Sequence, residues 1–377
     1  MASYVNLQPG DPAPWFHART GGSPRFAFDS AAGRHIALCF FATAGDARSK
    51  AAVDAALARP DLFNDARAAF FGVSVDPRDE AEVRIPDRTP GYRYFHDHDG
   101  GVSRMFGALP QETGAGTLEA RRFWLILDPA LRVVAQFPFD THGEADKAAI
   151  GALESAIRDY EKPGAHADAP ALLLPRVFDA GFCAELIALY EAAGGADSGF
   201  MREVGGKTVG VYDYAHKRRR DCNIEDEGVI KRAQALVRRR VVPEIRRAHQ
   251  FEVTRMERYI VACYDAAEEA HFRPHRDNTT SGTAHRRFAC SILLNDDYEG
   301  GDLSFPEYGG KRWRPPAGGA VIFSCSILHT VSRVTKGRRY VFLPFLYDEA
   351  AARIREANNS RLSDEIAPYR AATGAKS

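Results

Sequence analysis

His275, Asp277, His329 and Arg339 form a set whose residue types and spacing together could do chemistry. Two neutral imidazoles and one carboxylate can occupy one triangular face of an octahedral ferrous ion and leave three adjacent positions open. Two of these can take the 2-oxo group and C1 carboxylate of 2-oxoglutarate, and the third dioxygen. The C5 carboxylate of that cosubstrate then needs a fixed cation, and a planar guanidinium with bidentate donors suits it better than an ammonium. Arg339, ten residues beyond His329, fits that role. Arg338 competes for it, and strand alternation decides: if Arg339 points inward with Val341 and Leu343, Arg338 points to solvent.

The elements around these residues must hold them rigidly. His-x-Asp by itself is a weak pattern, and a second copy occurs at His166-Ala-Asp168. That copy lies in the Pro/Gly/Ala stretch Glu161–Pro170, which cannot hold a strand. His275 is flanked instead by β-branched and aromatic runs, Met256–Tyr264, Phe288–Leu294 and Asp302–Phe305, each bounded by turn residues. On an extended strand, residues i and i+2 point the same way, so His275 and Asp277 are expected to share one interior face. His329 follows the buried-type run Ala320–Cys325, and Arg339 opens another that ends at Tyr347.

Asp297-Tyr-Glu-Gly-Gly-Asp-Leu-Ser-Phe-Pro306, Leu328-His-Thr-Val331 and Thr335-Lys-Gly-Arg-Arg-Tyr340 together resemble the prolyl 4-hydroxylase-type branch of the 2-oxoglutarate/Fe(II) oxygenases, over roughly residues 168 to 350. The resemblance implies a double-stranded β-helix, a jelly roll whose two sheets wrap the metal. It implies His275, Asp277 and His329 as iron ligands, Arg339 as the C5 carboxylate anchor, and Tyr264 as a lining residue of the cosubstrate pocket. Fe(II), 2-oxoglutarate and, as reductant, ascorbate are the cofactors it implies. The reaction would hydroxylate an unactivated C–H bond and release succinate and carbon dioxide. The substrate would be a prolyl or other side chain of a protein or peptide, with a free amino acid or small metabolite as the alternative. The hypoxia-type members carry a further carboxylate-binding tyrosine on the strand equivalent to Phe288–Leu294, where this chain has none.

The amino-terminal half reads β/α: strand His35–Phe41, helix Ala47–Ala58, strands Ala68–Val75 and Phe123–Leu127, a thioredoxin-like order. Pro9-Gly-Asp-Pro-Ala-Pro14, Gly72-Val-Ser-Val-Asp76 and Arg122-Phe-Trp-Leu-Ile-Leu-Asp128 resemble the peroxiredoxins. That family follows its first strand with P-x-x-x-T-x-x-C, and here Ala42, Asp46 and Ser49 stand at the proline, threonine and peroxidatic cysteine. A serine hydroxyl cannot present a soft anion to a peroxide bond at neutral pH. Arg122 matches the activating arginine but has no thiolate to activate, and Cys39 reads as a small buried strand residue. A thiol peroxidase is therefore the disfavoured alternative. Docking a protein substrate, covering the oxygenase mouth, or dimerising through the faces peroxiredoxins often use are the roles left to this domain.

The 377 residues, 45% of them hydrophobic, are enough for two or three domains each with its own core. We divide them into residues 1–160 (peroxiredoxin-like), 161–167 (linker), 168–350 (jelly roll) and 351–377 (carboxy-terminal helix and tail, the helix being Ala350–Ala357). Six scattered cysteines without paired spacing read as buried thiols in a reducing, cytoplasmic compartment. A formal net charge of zero and the absence of a long apolar run argue against nucleic-acid and membrane partners. His96-Asp-His-Asp99 has metal-like composition but reads as a polar turn opening a helix. Val229–Arg247 reads as one basic helix kinked by Pro243, its arginines a solvated face rather than a groove for an acidic polypeptide.

Overall fold

A computed structural model of the chain describes residues 3–112, 119–162, 164 and 167–370. It divides into two compact units, Met1–Asp168 with Pro306–Gly309 and Ala169–Phe305 with Gly310–Ser377.

The first unit is built on a five-stranded sheet in the order Tyr92–His96, Ala68–Ser74, His35–Ala42, Phe123–Leu127, Val133–Pro138. The first three strands are parallel and the last two antiparallel. Every residue of Ala68–Ser74 is buried, as expected of a parallel strand covered on both faces. One face packs on helices Ala47–Leu57 and Glu144–Tyr160 through Ala52, Val53, Ala56, Ala149, Leu153 and Ile157. On the other side Phe16, Phe28, Phe71, Phe95 and Phe106 form a cluster of stacked and edge-on rings. This is the thioredoxin-like fold class expected, with two further strands. Tyr92–His96 is short and mixed in polarity, and Val133–Pro138 is a mostly half-buried edge strand, so neither carries a strong apolar signal.

The second unit is a jelly roll of two antiparallel sheets, not closed into a barrel. The smaller runs Lys217–Arg218, His271–His275, His329–Val331, Leu303–Ser304, Arg312–Trp313. In the larger, Ile260–Asp265 pairs with Arg220–Asn223 on one side and Arg338–Phe342 on the other. Phe288–Leu293 then pairs with Arg338–Phe342 and Phe345–Tyr347 along one edge and with Ala320–Ser324 along the other. Helices Ala180–Ala193, Glu227–Arg240 and Val242–His249 cover this sheet through Phe182, Leu186, Ala233, Val237 and Ile245. Helix Glu349–Ala357 closes the described fold, and Tyr369 packs on its base.

Several expected elements differ in continuity. Val229–Arg247 is two helices rather than one kinked helix: they meet at Val241, and Pro243 sits in the first turn of the second, where its missing N–H costs nothing. Met256–Tyr264 breaks at Arg258, whose φ of 63° lies in the left-handed region. The run from Arg339 to Tyr347 is interrupted before Pro344, which has no N–H for a ladder bond. Strand His271–His275 ends at its histidine, so Asp277 lies in the bend that follows and not on the strand. A bulge between Phe272 and His275, spanning Pro274, ends the regular ladder there. Among the described residues, no helix is long and apolar enough to cross a membrane.

Candidate metal centre

The smaller sheet brings the two histidines together by register. His275, last residue of its strand, pairs across the ladder with His329, the first of the next, and their ring centroids are 4.2 Å apart. Asp277 completes the group from the bend: its Oδ1 is 3.7 Å from His275 Nε2 and its Oδ2 3.4 Å from His329 Nε2. One donor atom from each of the three lies within 4.8 Å of the others. The bend is pinned, since Asp277 N–H donates to the Cys325 carbonyl at 3.0 Å and Asn278 Nδ2 to Ser326 Oγ at 2.7 Å. Strand alternation therefore does not place the carboxylate; these two hydrogen bonds to the turn before His329 do.

Each imidazole is oriented by its other nitrogen. Nδ1 of His275 is 2.8 Å from the Arg273 carbonyl and Nδ1 of His329 is 3.1 Å from that of Ile327, which makes Nδ1 the protonated nitrogen and leaves the Nε2 lone pairs for the shared point. Phe272 stacks on His275 at a centroid distance of 3.4 Å, and Phe323 meets His329 edge-on at 4.7 Å. Burial, with His329 as neighbour, holds the His275 imidazole well below its ordinary pKa, so it is neutral and able to ligate.

Arg339 lies on the larger sheet, directly opposite Tyr264 on the adjoining strand, with its guanidinium 5.0 Å from that ring's centre. It is 3% exposed, and its Nε and Nη1 meet no hydrogen-bond partner among the described residues. Arg338 points the other way: its side chain is 52% exposed and pairs with Asp265 and Glu191. Gly301 makes room for Arg339. Its φ is 64°, and a Cβ there would sit 2.9 Å from Arg339 Cδ and 2.8 Å from Val334 Cγ2.

Residues that spacing alone did not single out link these two places. Lys217 Nζ stands 5.0 Å over the Phe272 ring, which stacks on His275. The same Nζ donates to Ser198 Oγ at 2.7 Å, Arg219 Nη2 donates to that oxygen at 3.2 Å, and Arg219 Nη1 to the Tyr264 hydroxyl at 3.4 Å. Asp221 balances this group through Arg219 and Arg258; burial alone would raise its carboxyl, but those cations hold it well below the usual range. The signal available in the sequence was Lys217-Arg-Arg-Arg-Asp221, a charge run alternating onto short strands. The Tyr298 hydroxyl is likewise buried without a partner among the described residues, and its ring edge adjoins Gly301.

The decoy His166 lies outside the described residues, and Asp168 is exposed. In the first unit, Asp46 caps helix Ala47–Leu57 by accepting from Ser49 N–H at 3.0 Å. Arg122 Nη1 donates to Asp46 Oδ1 at 3.0 Å and to Ser49 Oγ at 3.3 Å, while Ser49 Oγ donates to the Phe41 carbonyl at 2.7 Å. The arginine is thus already neutralised by a carboxylate. Ala42 has φ 66°, a conformation closed to proline. Cys39 is fully buried, which pushes its thiol well above the ordinary range.

Residues 248–347 match the family model described as the 2OG-Fe(II) oxygenase superfamily. The span contains Tyr264, His275, Asp277, His329 and Arg339. A PKHD-type hydroxylase of Polaromonas sp. is 38% identical over 78 residues, 18% of this chain and 34% of that protein. One from Verminephrobacter eiseniae is 32% identical over 104 residues, 25% of this chain and 44% of that protein. The chain thus spans about a third to under half of the length of these curated relatives. Among solved structures, a Trichoplax adhaerens prolyl hydroxylase in complex with a hypoxia-inducible factor peptide is 17% identical, covering 48% of this chain and 85% of its own, with TM-score 0.39. A Xanthomonas campestris bacterioferritin comigratory protein is 20% identical, covering 40% of this chain and 98% of its own, with TM-score 0.32. Residues 248–347 are therefore a domain of the 2OG-Fe(II) oxygenase superfamily.

Proposed function

We propose that this chain is an Fe(II)- and 2-oxoglutarate-dependent hydroxylase, with His275, Asp277 and His329 as iron ligands and Arg339 as the anchor of the cosubstrate's C5 carboxylate. The observation that carries it is the Arg339 guanidinium, buried with two nitrogens that meet no partner among the described residues. A buried charge without a counter-ion is strongly unfavourable, so such a group calls for an anionic ligand. Two imidazole nitrogens and a carboxylate within 4.8 Å of one another match the donor set that ferrous oxygenases use.

When bound, iron and 2-oxoglutarate supply the oxidising chemistry: dioxygen is divided between succinate and the hydroxylated product, and carbon dioxide leaves. The chain's own contribution is positional. The Arg273 and Ile327 carbonyls fix the imidazole tautomers. Phe272 and Phe323 cover the rings and exclude water, and Tyr264 with Arg219 sets the plane against which Arg339 lies. No side chain needs to act as acid or base. The substrate we assign is a prolyl or other side chain of a protein or peptide; the alternative is a free amino acid or small metabolite. Ascorbate would keep the metal reduced.

The test is anaerobic reconstitution with Fe(II) followed by admission of oxygen, with succinate and carbon dioxide counted against 2-oxoglutarate consumed, in the presence and absence of proline-containing peptides. Equal amounts of succinate and carbon dioxide, with an oxygen atom added to a peptide, are expected. Oxygen-dependent turnover that ignores 2-oxoglutarate would refute the reading.

A further inference from the structure

We propose that Glu80, His96 and His98 form a second divalent-metal site, in the N-terminal unit and distinct in every residue from the His275, Asp277 and His329 group. His96 is the last residue of strand Tyr92–His96, and His98 stands in the turn two residues on. Glu80 belongs to the short helix Pro77–Ala81, which follows the neighbouring parallel strand Ala68–Ser74; that strand's last residue, Ser74, registers with His96. All three therefore gather at the carboxyl end of parallel strands, the edge at which α/β sheets place their ligands.

The donors are close enough to share one ion. One atom from each residue lies within 4.8 Å of the others, and His98 Nε2 is 3.7 Å from Glu80 Oε2. At metal–ligand bonds of about 2.0–2.2 Å, two donors on one ion sit roughly 3–4 Å apart, so the cluster needs to close by no more than about 1–2 Å, within reach of side-chain rotation. A second observation is independent of that spacing: Nδ1 of His96 is buried and meets no hydrogen-bond partner among the described residues. Buried polar nitrogens ordinarily have a partner, and each exception asks for a reason.

The chemistry of the set selects the ion. Two imidazoles with one carboxylate suit zinc(II) and its borderline neighbours, whereas calcium and magnesium take oxygen ligands. His98 is 30% exposed, so water can complete the coordination. Arg19 is the competitor: its guanidinium pairs with Glu80 Oε2 from a half-exposed position. An exposed ion pair of this kind adds little to stability, and the long side chain can swing away when a cation takes the carboxylate. The aspartates of the His96–Asp99 run take other work, since Asp97 caps helix Gly101–Met105 by accepting from Val102 N–H at 2.9 Å and Ser103 N–H at 2.7 Å.

The probe is Zn(II) alone, added to full-length protein stripped by chelation, with bound zinc counted after equilibrium dialysis. Zinc also fits the C-terminal triad, so counts are compared across variants. The unaltered chain should hold two ions, His275→Ala with His329→Ala one, and His96→Ala with His98→Ala one. Adding His98→Ala to the His275→Ala/His329→Ala protein should remove the remaining ion; His98 lies in an exposed turn, and an unchanged circular dichroism spectrum checks the fold. Arg19→Ala in that same background should bind its ion several-fold more tightly, because a repelling cation is gone. The proposal is overturned if the His275→Ala/His329→Ala protein holds no zinc, or if its zinc survives His98→Ala. Loss of all zinc in His96→Ala/His98→Ala would count against the C-terminal centre instead and leave this site standing.

Discussion

Tyr264 and Arg339 stand directly opposite one another on adjacent antiparallel strands, and the guanidinium lies 5.0 Å from the centre of the phenol ring. A cation over an aromatic face gains about 0.5–2 kcal/mol, well short of what a buried charge loses when it leaves water. The ring orients the arginine but does not offset the cost of burying its charge, which is why we assign it an anionic partner.

Arg339→Ala should therefore raise the 2-oxoglutarate dissociation constant more than a hundredfold, the equivalent of about 3–5 kcal/mol for breaking a buried ion pair. Arg338→Ala, which removes only an exposed pairing with Asp265 and Glu191, should change it by less than about threefold. Tyr298→Phe should weaken binding several-fold, about 1 kcal/mol for one hydrogen bond, if its hydroxyl, which has no partner among the described residues, joins the carboxylate. Calorimetry on protein loaded with Mn(II) gives all three values, and a larger rise for Arg338→Ala would reverse the assignment of the anchor.

Metal content separates the two His-x-Asp copies. His275→Ala, or Asp277→Ala, should abolish iron binding at the C-terminal centre, while His166→Ala with Asp168→Ala should leave it intact. Elemental analysis after anaerobic loading with Fe(II) decides, and equal loss from both would show that the copy at His275 has no privilege.

The front unit should show no thiol-dependent reduction of hydrogen peroxide. Restoring the sulfur alone should not rescue it: in Ser49→Cys the new thiol would sit beside the Asp46 carboxylate, which already occupies Arg122. A thiolate next to a carboxylate is disfavoured, so activity should require replacing Asp46 as well. A coupled peroxidase assay on Ser49→Cys, and on Ser49→Cys with Asp46→Thr, distinguishes the two cases. A peroxidase rate that persists in the unaltered chain and vanishes in Cys39→Ser would show that the strand thiol has taken over.

Glu257 gives the pH dependence its sign. It is buried, and against the upward pull of burial His285, Arg286 and Arg355 hold its carboxyl well below the usual range. A folded-state pKa below the unfolded value of about 4.3 gives stability that is full above that value and is lost as pH falls through the folded one. Glu257→Gln should cost about 3–5 kcal/mol at neutral pH, since it strands two arginines. The gap from the unaltered chain should narrow in acid, where the original carboxyl is itself protonated. Chemical denaturation at neutral and acid pH measures it, and a gap that widened in acid would contradict the sign.

Much of the site was legible because its residues lie close in sequence to strong strand signals: His329 beside Ala320–Ser324, Arg339 at the head of an aromatic and aliphatic run. Alternation was enough to set Arg339 inward and Arg338 outward. It was not enough for Asp277, because Pro274 and a bulge end the strand first and a tertiary hydrogen bond to Cys325 places the carboxylate. The Lys217–Asp221 charge run was visible, but its tie to Ser198 was not, because Ser198 comes from a separate segment and meets Lys217 and Arg219 only in the folded chain. Glu80 was missed for the same reason: a turn with two histidines can be read locally, but the helix that meets it belongs to the preceding strand. The break at Arg258 was hidden because Glu257-Arg258-Tyr259 contains no Gly, Pro, Asn or Asp to mark a turn.

All six cysteines are free and buried, and none has a thiol driven toward the reactive anion. An iron centre that turns over without its proper substrate releases oxidants, and sulfur is where such damage is ordinarily recorded. Here the cysteines are sheltered from it, so protein aged in air with iron and 2-oxoglutarate should accumulate no disulfide-linked species. The wear should fall on the thioethers of Met105 and Met201, 44% and 40% exposed, and appear as mass gains of single oxygen atoms on their peptides.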